Sequence, residues 1–528
     1  MISFLVFCFF SALYLLTPNQ IFSFDAVTNA IACESNELIR WFHPNHPLYP
    51  FLGVLWYRLE KLWGYHGFAI YSLARFNSLL MAGSLALLHW GLKDEIGKAR
   101  AAAWVIFLGV TYACWHYAVD GRAIGASVFF SSLLVTSLIR FSKRATLKYH
   151  HTVHLGFLSS LYILCHGIAI FHVAAIAGWL LMRSRFNNEK RLNYDQAGLY
   201  LLTVAIVVSS FYLGVYAVAV KPWGSFSFLS WAVGYAGYEG EGKILESGFW
   251  FKNGNDFIDG IWRGWAQALV HSGTSFTLNF FTIFFALGLL GALFYSLTQF
   301  RKQKKERRLL ALTLGAWGVF ISIFLTLWSP GQEGFRLHIL VPWIVMAALL
   351  TAHLKPVEWV VGSSAALVFW LNFSYTIVPA SFIQNNSGYQ ILSEIQTHLQ
   401  PGDVLVCGQS GIPGIEVLRP YFFPEIKGGS ITGRLFAYKE KTLDPLIGNL
   451  VRKQTEGHHI YFTPDIFDPA VQQAIEGQFL LRKGEMAEFA NRFEIKNSFP
   501  VSSQLQITQV EFKPARPVLP VGRQAGGS

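Results

Sequence analysis

The sequence predicts a polytopic α-helical membrane protein with a C-terminal extracytoplasmic α/β domain. The chain has 528 residues, of which 53% are hydrophobic and only 14% are charged, whereas about 25% are charged in an average soluble protein. Apolar runs long enough to cross a bilayer recur as far as residue 380, and charged and turn residues return after it. Since these runs are unbroken rather than alternating, they favour helices over the strands of a β-barrel.

Hydropathy and loop charge together predict about eleven spans. They lie at roughly 2–20, 67–91, 101–118, 123–140, 152–167, 168–182, 197–219, 274–299, 309–328, 337–353 and 358–378. The stretch from Leu155 to Leu181 is divided near His166 because both flanks are basic, and one span would leave a basic flank outside. The first span has no preceding Lys or Arg and no clear cleavage site, so we expect a retained helix rather than a signal peptide.

The loops differ strongly in charge, and this difference sets the orientation. The loops on one side contain 18 Lys and Arg, and the longer loops on the other side contain 9. The positive-inside rule therefore predicts a cytoplasmic N-terminus, with loops 21–66 and 221–273 and the C-terminal domain facing outward. The compact plan and the absence of a retention signal favour a bacterial inner membrane.

The net charge of +11 is explained by the basic cytoplasmic loops of a multispanning protein, so we expect no nucleic-acid partner. The five cysteines form no metal-binding spacing. No HExxH pattern is present either. The sequence therefore implies no metal site and no cofactor, although a divalent metal is permitted.

Residues 1–380 form the predicted transmembrane domain, and residues 381–514 form the soluble α/β domain. We expect strands at 404–407, 459–462 and 505–512 and helices at 392–399, 471–479 and 483–493. The Pro- and Gly-rich tail at 515–528 is predicted to be disordered.

The outer loop between the first two spans carries the strongest candidates for chemistry. Asp25 follows a span at the water–lipid boundary, where partial desolvation would raise its pKa and make it a general base. The alternative is a helix N-cap. Glu34 lies nine residues further on, either as a second acid or as a solvated side chain.

The segment His43-Pro44-Asn45-His46-Pro47 places two histidines on a stiff frame. They are predicted to bind a phosphate or, with a third ligand, a metal ion; a purely structural turn is the alternative.

Two arginines are predicted at the outer mouth of the bundle. Arg122 follows Asp120, and Arg336 lies close to Glu333 and His338. A guanidinium group suits a phosphate ligand, but local pairs with Asp120 and Glu333 remain open alternatives. The loop at 221–273 is either a lid or acceptor-binding segment over this mouth or an interfacial helix anchored by Trp.

These features resemble the GT-C superfamily of membrane glycosyltransferases, which includes protein mannosyltransferases and aminoarabinose transferases. The resemblance rests on three short segments: Phe24-Asp25-Ala26 after the first span, His46-Pro47-Leu48-Tyr49, and Arg336 to Pro342 at a late span. The chain departs from many members at Ala26, where they have a second acid, which moves any second acidic role to Glu34.

The resemblance implies transfer of a sugar from a polyprenyl-phosphate donor, with inversion, to an unknown lipid, glycan or protein acceptor at the outer face. Asp25 would be the base, with Glu34 as the second acid. The substrate-binding residues would be His43, His46, Tyr49, Arg122, Arg336 and His338. A transporter or flippase of a lipid-linked or anionic substrate is the competing class, although the charges cluster at one mouth and no repeat is visible. A non-catalytic assembly or receptor subunit is a third.

Overall fold

The structure is a computed structural model that divides into two units, residues 1–382 and 383–528. It describes residues 1–144, 146–186, 193–223, 227–233, 263, 291, 298, 300, 303–328, 334–354, 357–408, 412, 414–438, 442–501 and 505–513. Most of the predicted span at 274–299 and most of the loop at 221–273 lie outside these residues.

The first unit is helical. Its helices are α1 (Ile2–Leu16), α2 (Phe24–Glu34), α3 (Leu48–Leu62), α4 (Ala69–Ile96), α5 (Lys98–Val110), α6 (Tyr112–Ala118), α7 (Ile124–Ser142), α8 (Tyr149–Cys165), α9 (His172–Phe186), α10 (Tyr194–Val215), α11 (Phe228–Val233), α12 (Lys305–Trp328), α13 (Leu337–Leu350) and α14 (Val357–Asn372). Short 3₁₀ turns at Leu38–Trp41, Gly167–Phe171 and Gly334–Arg336 separate some of them.

Four helical segments of the described residues are long and apolar enough to cross a membrane: Ile124–Ser142, Tyr194–Val220, Lys305–Leu327 and Val357–Ala380. A fifth results if α5 and α6, which are bent by 68° at Thr111, form one span. Ile2–Leu16, Gly167–Arg183 and Gly334–Leu350 are shorter apolar segments. These segments indicate an integral membrane protein, and the number of eleven spans stays a prediction.

Helix α6 leads to the segment at 119–123 and is fixed by buried contacts on two sides. The indole N–H of Trp115 donates to the hydroxyl of Thr17 at 2.9 Å, and its ring stacks on Phe369 with centroids 5.5 Å apart. Tyr14 of α1 donates its hydroxyl to the carbonyl of Gly109 at 2.7 Å. Because burial and hydrogen bonding coincide here, the end of α6 is well positioned.

The described residues of the second unit form a mixed five-stranded sheet with helices. Its strands are β1 (Val404–Cys407), β2 (Lys427–Ser430), β3 (Ile460–Phe462), β4 (Phe493–Pro500) and β5 (Gln506–Phe512), in the order β2-β1-β3-β5-β4. β1 pairs in parallel with β2 and β3, whereas β5 is antiparallel to β3 and β4. Its helices are α15 (Ser387–His398), α16 (Ile415–Phe422), α17 (Ile431–Tyr438), α18 (Asp444–Thr455), α19 (Pro469–Phe479) and α20 (Glu485–Asn491).

The expected strands near 404, 460 and 506 are present, and two further strands occur that the sequence pattern did not indicate. β2 has the sequence KGGS, which contains no β-branched or aromatic residue. β4 is exposed at most positions on both faces, so it shows no hydrophobic alternation.

Candidate active site

A cleft in the first unit brings together residues from five separate segments. It is lined by Asp25, Asn29, His46, Tyr117, Arg122, Ala123, Ile124, His166, Gly334 and Phe335, and its empty volume, with the open mouth included, is about 390 Å³. Acidic, basic and uncharged hydrogen-bonding groups thus meet in one place.

Helix α2 presents Asp25 and Asn29 to the cleft from successive turns. Ser23 is the N-cap, and its hydroxyl accepts from the Ala26 N–H at 3.2 Å. The amide of Asn29 donates to the Gly121 carbonyl at 3.2 Å. Ala26 is buried, and a Cβ atom added at Gly121 would lie 3.3 Å from the Cβ atom of Ala26. An acidic side chain in place of Ala26 would therefore begin at a buried position beside Gly121, where a charge is costly.

The Asp25 carboxylate forms no hydrogen bond or salt bridge with the described residues. The N-cap role that the sequence left open belongs to Ser23, and Asp25 lies in the first turn. The residue is solvent-accessible at the mouth of the cleft. The protein around it still removes water from the carboxylate, which raises the pKa of Asp25; Arg122 counteracts this shift, and Asp120 adds to it. The group is therefore a stronger base than an ordinary aspartate.

Arg122 is held beside Asp25 by a small polar network. Its Nε lies 2.9 Å from the Asp120 carboxylate and donates to the Ser23 hydroxyl at 2.7 Å. The Ser23 hydroxyl also donates to Asp120 at 3.3 Å, and His116 Nε2 lies 3.8 Å from the same carboxylate. Arg122 Nη1 donates to the Tyr117 hydroxyl at 3.3 Å. Burial opposes the charge of Arg122, but Asp120 and Tyr117 outweigh it and raise its pKa. The local pair with Asp120 that the sequence left open is therefore present.

Tyr49 and Asn77 support the segment at 119–123 from behind the cleft. The Tyr49 hydroxyl donates to the Gly121 carbonyl at 2.9 Å. The Asn77 amide donates to Tyr49 at 3.0 Å and to the carbonyls of Asp120 and Arg122 at 2.5 and 2.7 Å. Tyr49 is fully buried and does not line the cleft.

The bend at 43–47 is fixed to helix ends on the opposite side of the cleft. The Asn45 carbonyl accepts from the Gly167 N–H at 2.7 Å, and the Pro44 carbonyl accepts from the Tyr212 hydroxyl at 2.6 Å. The bend is thus a structural turn that also places His46 on the cleft wall.

The two histidines of the bend are stacked, with ring centroids 4.2 Å apart. Burial lowers the pKa of His43 to about 4. Burial, together with the charges of His43 and His166, also lowers the pKa of His46 well below its usual value. Both rings are consequently neutral at neutral pH and offer hydrogen bonds rather than charge.

His166 continues this wall at the break between α8 and α9. Its ring lies 6.3 Å from His46, 5.2 Å from Phe335 and 4.9 Å from His338, measured between centroids. His338 is buried and shares a hydrogen bond of 2.6 Å with Tyr162 through Nδ1.

Of the eight residues predicted as site residues, Asp25, His46 and Arg122 line the cleft, whereas Glu34, His43, Tyr49, Arg336 and His338 do not. Glu34 instead accepts the Ala69 N–H at 2.7 Å at the start of α4. Arg336 is buried directly after Phe335, and Glu333 lies outside the described residues. His43 and His338 do not line the cleft, but their rings contact His46 and His166, respectively, which do.

The sequence pattern did not indicate Asn29, Tyr117 or His166 as site residues. Asn29 could have been found, because it lies four residues after Asp25 on one helix face. His166 and Tyr117 meet the cleft through tertiary packing and gave no local signal. Within the described part of the chain, no cluster of three or more His, Cys, Asp or Glu residues is arranged to hold a metal ion.

No family model matches the chain, and no curated protein matches its sequence. Solved structures do resemble it. ArnT from Cupriavidus metallidurans bound to undecaprenyl phosphate has a TM-score of 0.59 at 12% identity, over 96% of each chain. The apo state of the same protein has a TM-score of 0.60 at 11% identity, again over 96% of each chain.

The Archaeoglobus fulgidus oligosaccharyltransferase in complex with Zn and sulfate has a TM-score of 0.50 at 13% identity, over 96% of this chain and 73% of that one. The molecule therefore has the fold of the GT-C membrane glycosyltransferases, and the predicted resemblance is confirmed at the level of the fold.

Proposed function

We propose that this protein transfers a glycosyl group from a polyprenyl-phosphate sugar to an acceptor hydroxyl, with Asp25 as the general base. One observation carries the proposal: Asp25, without a hydrogen-bond partner among the described residues, shares a single cleft with Arg122 and His46. The fold supports it, because a neighbour of the same fold was crystallised with undecaprenyl phosphate.

The reaction is a single displacement. The acceptor oxygen attacks the anomeric carbon, and its proton passes to the Asp25 carboxylate. The new bond joins the acceptor oxygen to the sugar, while the bond from the anomeric carbon to the phosphate oxygen breaks and its electron pair leaves with the polyprenyl phosphate. Attack opposite the leaving group inverts the anomeric centre. A base whose pKa is raised by desolvation removes this proton more effectively near neutral pH.

Donors on the other cleft walls stabilise the leaving phosphate. Arg122 uses Nε for Asp120 and Ser23 and donates from Nη1 to Tyr117, so the remaining N–H groups of its terminal nitrogens are the ones proposed to reach a phosphate. The Asp120–Arg122 pair has no net charge, so it contributes directed N–H groups more than attraction at a distance. Arg336, in the turn that supplies Phe335, is the proposed source of further positive charge.

The proposed setting is the outer face of the membrane. The positive-inside pattern supports this setting, because it predicts that the loop that contains Asp25 and the C-terminal domain lie on the non-cytoplasmic side. The isoprenoid tail of the donor would stay among the spans, and the acceptor would approach from the aqueous side.

The decisive experiment uses the purified full-length protein in nanodiscs with radiolabelled polyprenyl-phosphate sugars. Asp25→Asn is expected to lower transfer by a factor of about 10² to 10⁴, the usual contribution of general base catalysis. Asp195→Asn is the matched control, since Asp195 is an exposed acid in the first turn of α10. Transfer that survives in Asp25→Asn would remove Asp25 as the base.

The same assay separates the competing classes. A transferase releases polyprenyl phosphate and forms a glycosylated product, whereas a transporter or an assembly subunit forms neither. Glu34→Gln tests the second predicted acid. Full activity of this variant would mean that Glu34 is not a catalytic acid and has a structural role, such as its hydrogen bond with Ala69.

A further inference from the structure

His166 is held rigidly where α8 ends. Its N–H donates to the carbonyls of Tyr162 and Ile163 at 3.1 Å, and its carbonyl accepts from Ala169 at 2.9 Å. The next residue, Gly167, donates to Asn45 in the bend at 43–47. The backbone on both sides of the imidazole is therefore fixed, and the ring has a defined place on the cleft wall.

The imidazole of His166 is buried but incompletely hydrogen-bonded. The residue is only 8% exposed, it lines the cleft, and its Nδ1 has no hydrogen-bond partner among the residues that the structure describes. A buried polar atom without a partner costs about 1–3 kcal/mol. An arrangement of this kind is explained when a ligand supplies the missing hydrogen bond.

The charges of the cleft limit the kind of ligand that fits beside this ring. Among the cleft-lining residues that the structure describes, only Asp25 and Arg122 are formally charged at neutral pH. In the proposed reaction the first takes a proton and the second contacts phosphate. The remaining polar side chains, on Asn29, His46, Tyr117 and His166, offer uncharged hydrogen bonds, and Phe335 adds an apolar ring.

We propose that His166 and His46 form the subsite for the glycosyl group of the donor, and that this group is a neutral, hydroxyl-bearing sugar. A hydroxyl both donates and accepts, so it satisfies an imidazole nitrogen in either tautomer. An ammonium group would need a carboxylate here, and Asp25, the acidic residue of the described cleft lining, would lose its basicity by pairing with it. A sugar carboxylate would be repelled by Asp25. The inference rests on the proposed transferase function and specifies its donor.

The first test compares three donors with the same polyprenyl chain and either a neutral hexose, an amino sugar or a uronic acid. The neutral donor is expected to have a kcat/KM at least about tenfold above the others. An amino-sugar or uronic acid donor that equals or exceeds it would overturn the subsite while leaving the transferase function intact. Failure of all three donors would overturn both proposals.

The second test distinguishes a donor subsite from a site for acceptor hydroxyls. Binding of the intact neutral donor is measured without acceptor, in His166→Ala and in the control His154→Ala. His154 is an exposed histidine on α8, the helix that ends directly before His166. Loss of one neutral hydrogen bond is expected to weaken binding in His166→Ala by about 3- to 10-fold, with no change in the control. Unchanged donor binding with a raised KM for the acceptor would overturn the assignment.

A series of donors, each lacking one sugar hydroxyl group, tests the same contact in the native protein and so does not depend on the folding of a variant. One deoxy donor is expected to bind the native protein more weakly, yet to bind His166→Ala as well as the complete donor does. His166→Asn retains a hydrogen-bonding side chain and serves if His166→Ala does not fold. A series in which every deletion weakens the native protein and the variant equally would contradict a direct contact.

Discussion

Arg122 and Asp120 form an ion pair of 2.9 Å beneath the helix that carries Asp25. Asp120 is buried, and the Ser23 hydroxyl that caps α2 contacts both partners. The same three residues thus begin the helix of the proposed base, orient the arginine and set the electrostatic potential at the carboxylate. The Asp120–Arg122 pair therefore contributes both to the local structure of the loop and to the electrostatic environment of Asp25.

Removing one partner of the Asp120–Arg122 pair is expected to lower the free energy of unfolding much more than removing both charges. Arg122→Met leaves the Asp120 carboxylate buried without its cation and should lower the free energy of unfolding by about 3 kcal/mol. Asp120→Asn combined with Arg122→Met should recover a large part of that loss, because no buried charge remains. Thermal unfolding in detergent of both single variants and the double variant measures this. Strictly additive losses would contradict the coupling.

The acid limb of the pH–rate profile should report Asp25. Transfer needs the carboxylate, so kcat/KM falls as the pH falls through its pKa, which burial raises above the ordinary value of 3.8. Arg122 lowers that pKa, so Arg122→Gln should move the acid limb to higher pH. Asp120 raises it, so Asp120→Asn should move the limb to lower pH. Profiles of log kcat/KM against pH for the three proteins check the two directions. Shifts of the same sign in both variants would rule out Asp25 as the titrating group.

The sequence indicated most of the long helices of the first unit because their apolar runs are long and local, but it assigned α3 to an outer loop. It also indicated Asp25, His46 and Arg122, since each lies in a polar segment at the end of an apolar run. A helix break near His166 was expected from flanking charge, and α8 does end at Cys165.

The remaining features depend on contacts that no local pattern contains. His166 reaches the cleft because Gly167 hydrogen-bonds to Asn45, more than a hundred residues earlier. Glu34 resembles a catalytic acid in the sequence, but its hydrogen bond to Ala69 becomes visible only when α2 and α4 are seen together. The sequence did not predict β2 and β4, because these strands form through pairing with neighbouring strands and their own side chains show no strand pattern.

Asn77 should matter more for catalysis than a buried asparagine elsewhere. Its amide donates to the carbonyls of Asp120 and Arg122, so Asn77→Ala should cost about 1–3 kcal/mol of stability and also displace Arg122. Asn372→Ala is the matched control, since Asn372 donates to the Val110 carbonyl away from the cleft-lining residues. Both variants should lower Tm, and only Asn77→Ala should lower kcat/KM in the folded protein. An equal decrease in both would mean that Asn77 acts through stability alone.

The bend at 43–47 should loosen in acid because His43 is neutral in the fold. The Asn45 N–H donates to His43 Nδ1 at 3.2 Å, which requires an unprotonated nitrogen. Burial lowers the pKa of His43 from 6.5 to about 4, so the unfolded chain takes up this proton first as the pH falls. Stability is therefore unaffected above pH 6.5, decreases between 6.5 and about 4, and levels off below, with a total effect of at most about 3 kcal/mol.

His43→Asn isolates this effect from the other buried histidines. The asparagine oxygen still accepts a hydrogen bond from the backbone but does not titrate, so the variant should lose less stability than the native protein over the same pH interval. Thermal unfolding curves at several pH values between 4 and 7 provide the comparison. Because Asn45 also accepts from Gly167, the acid loosening of the bend should release the chain beside His166. Parallel stability curves for the two proteins would show that His43 is already protonated in the fold, and would contradict the neutral ring that stacks on His46 behind the cleft wall.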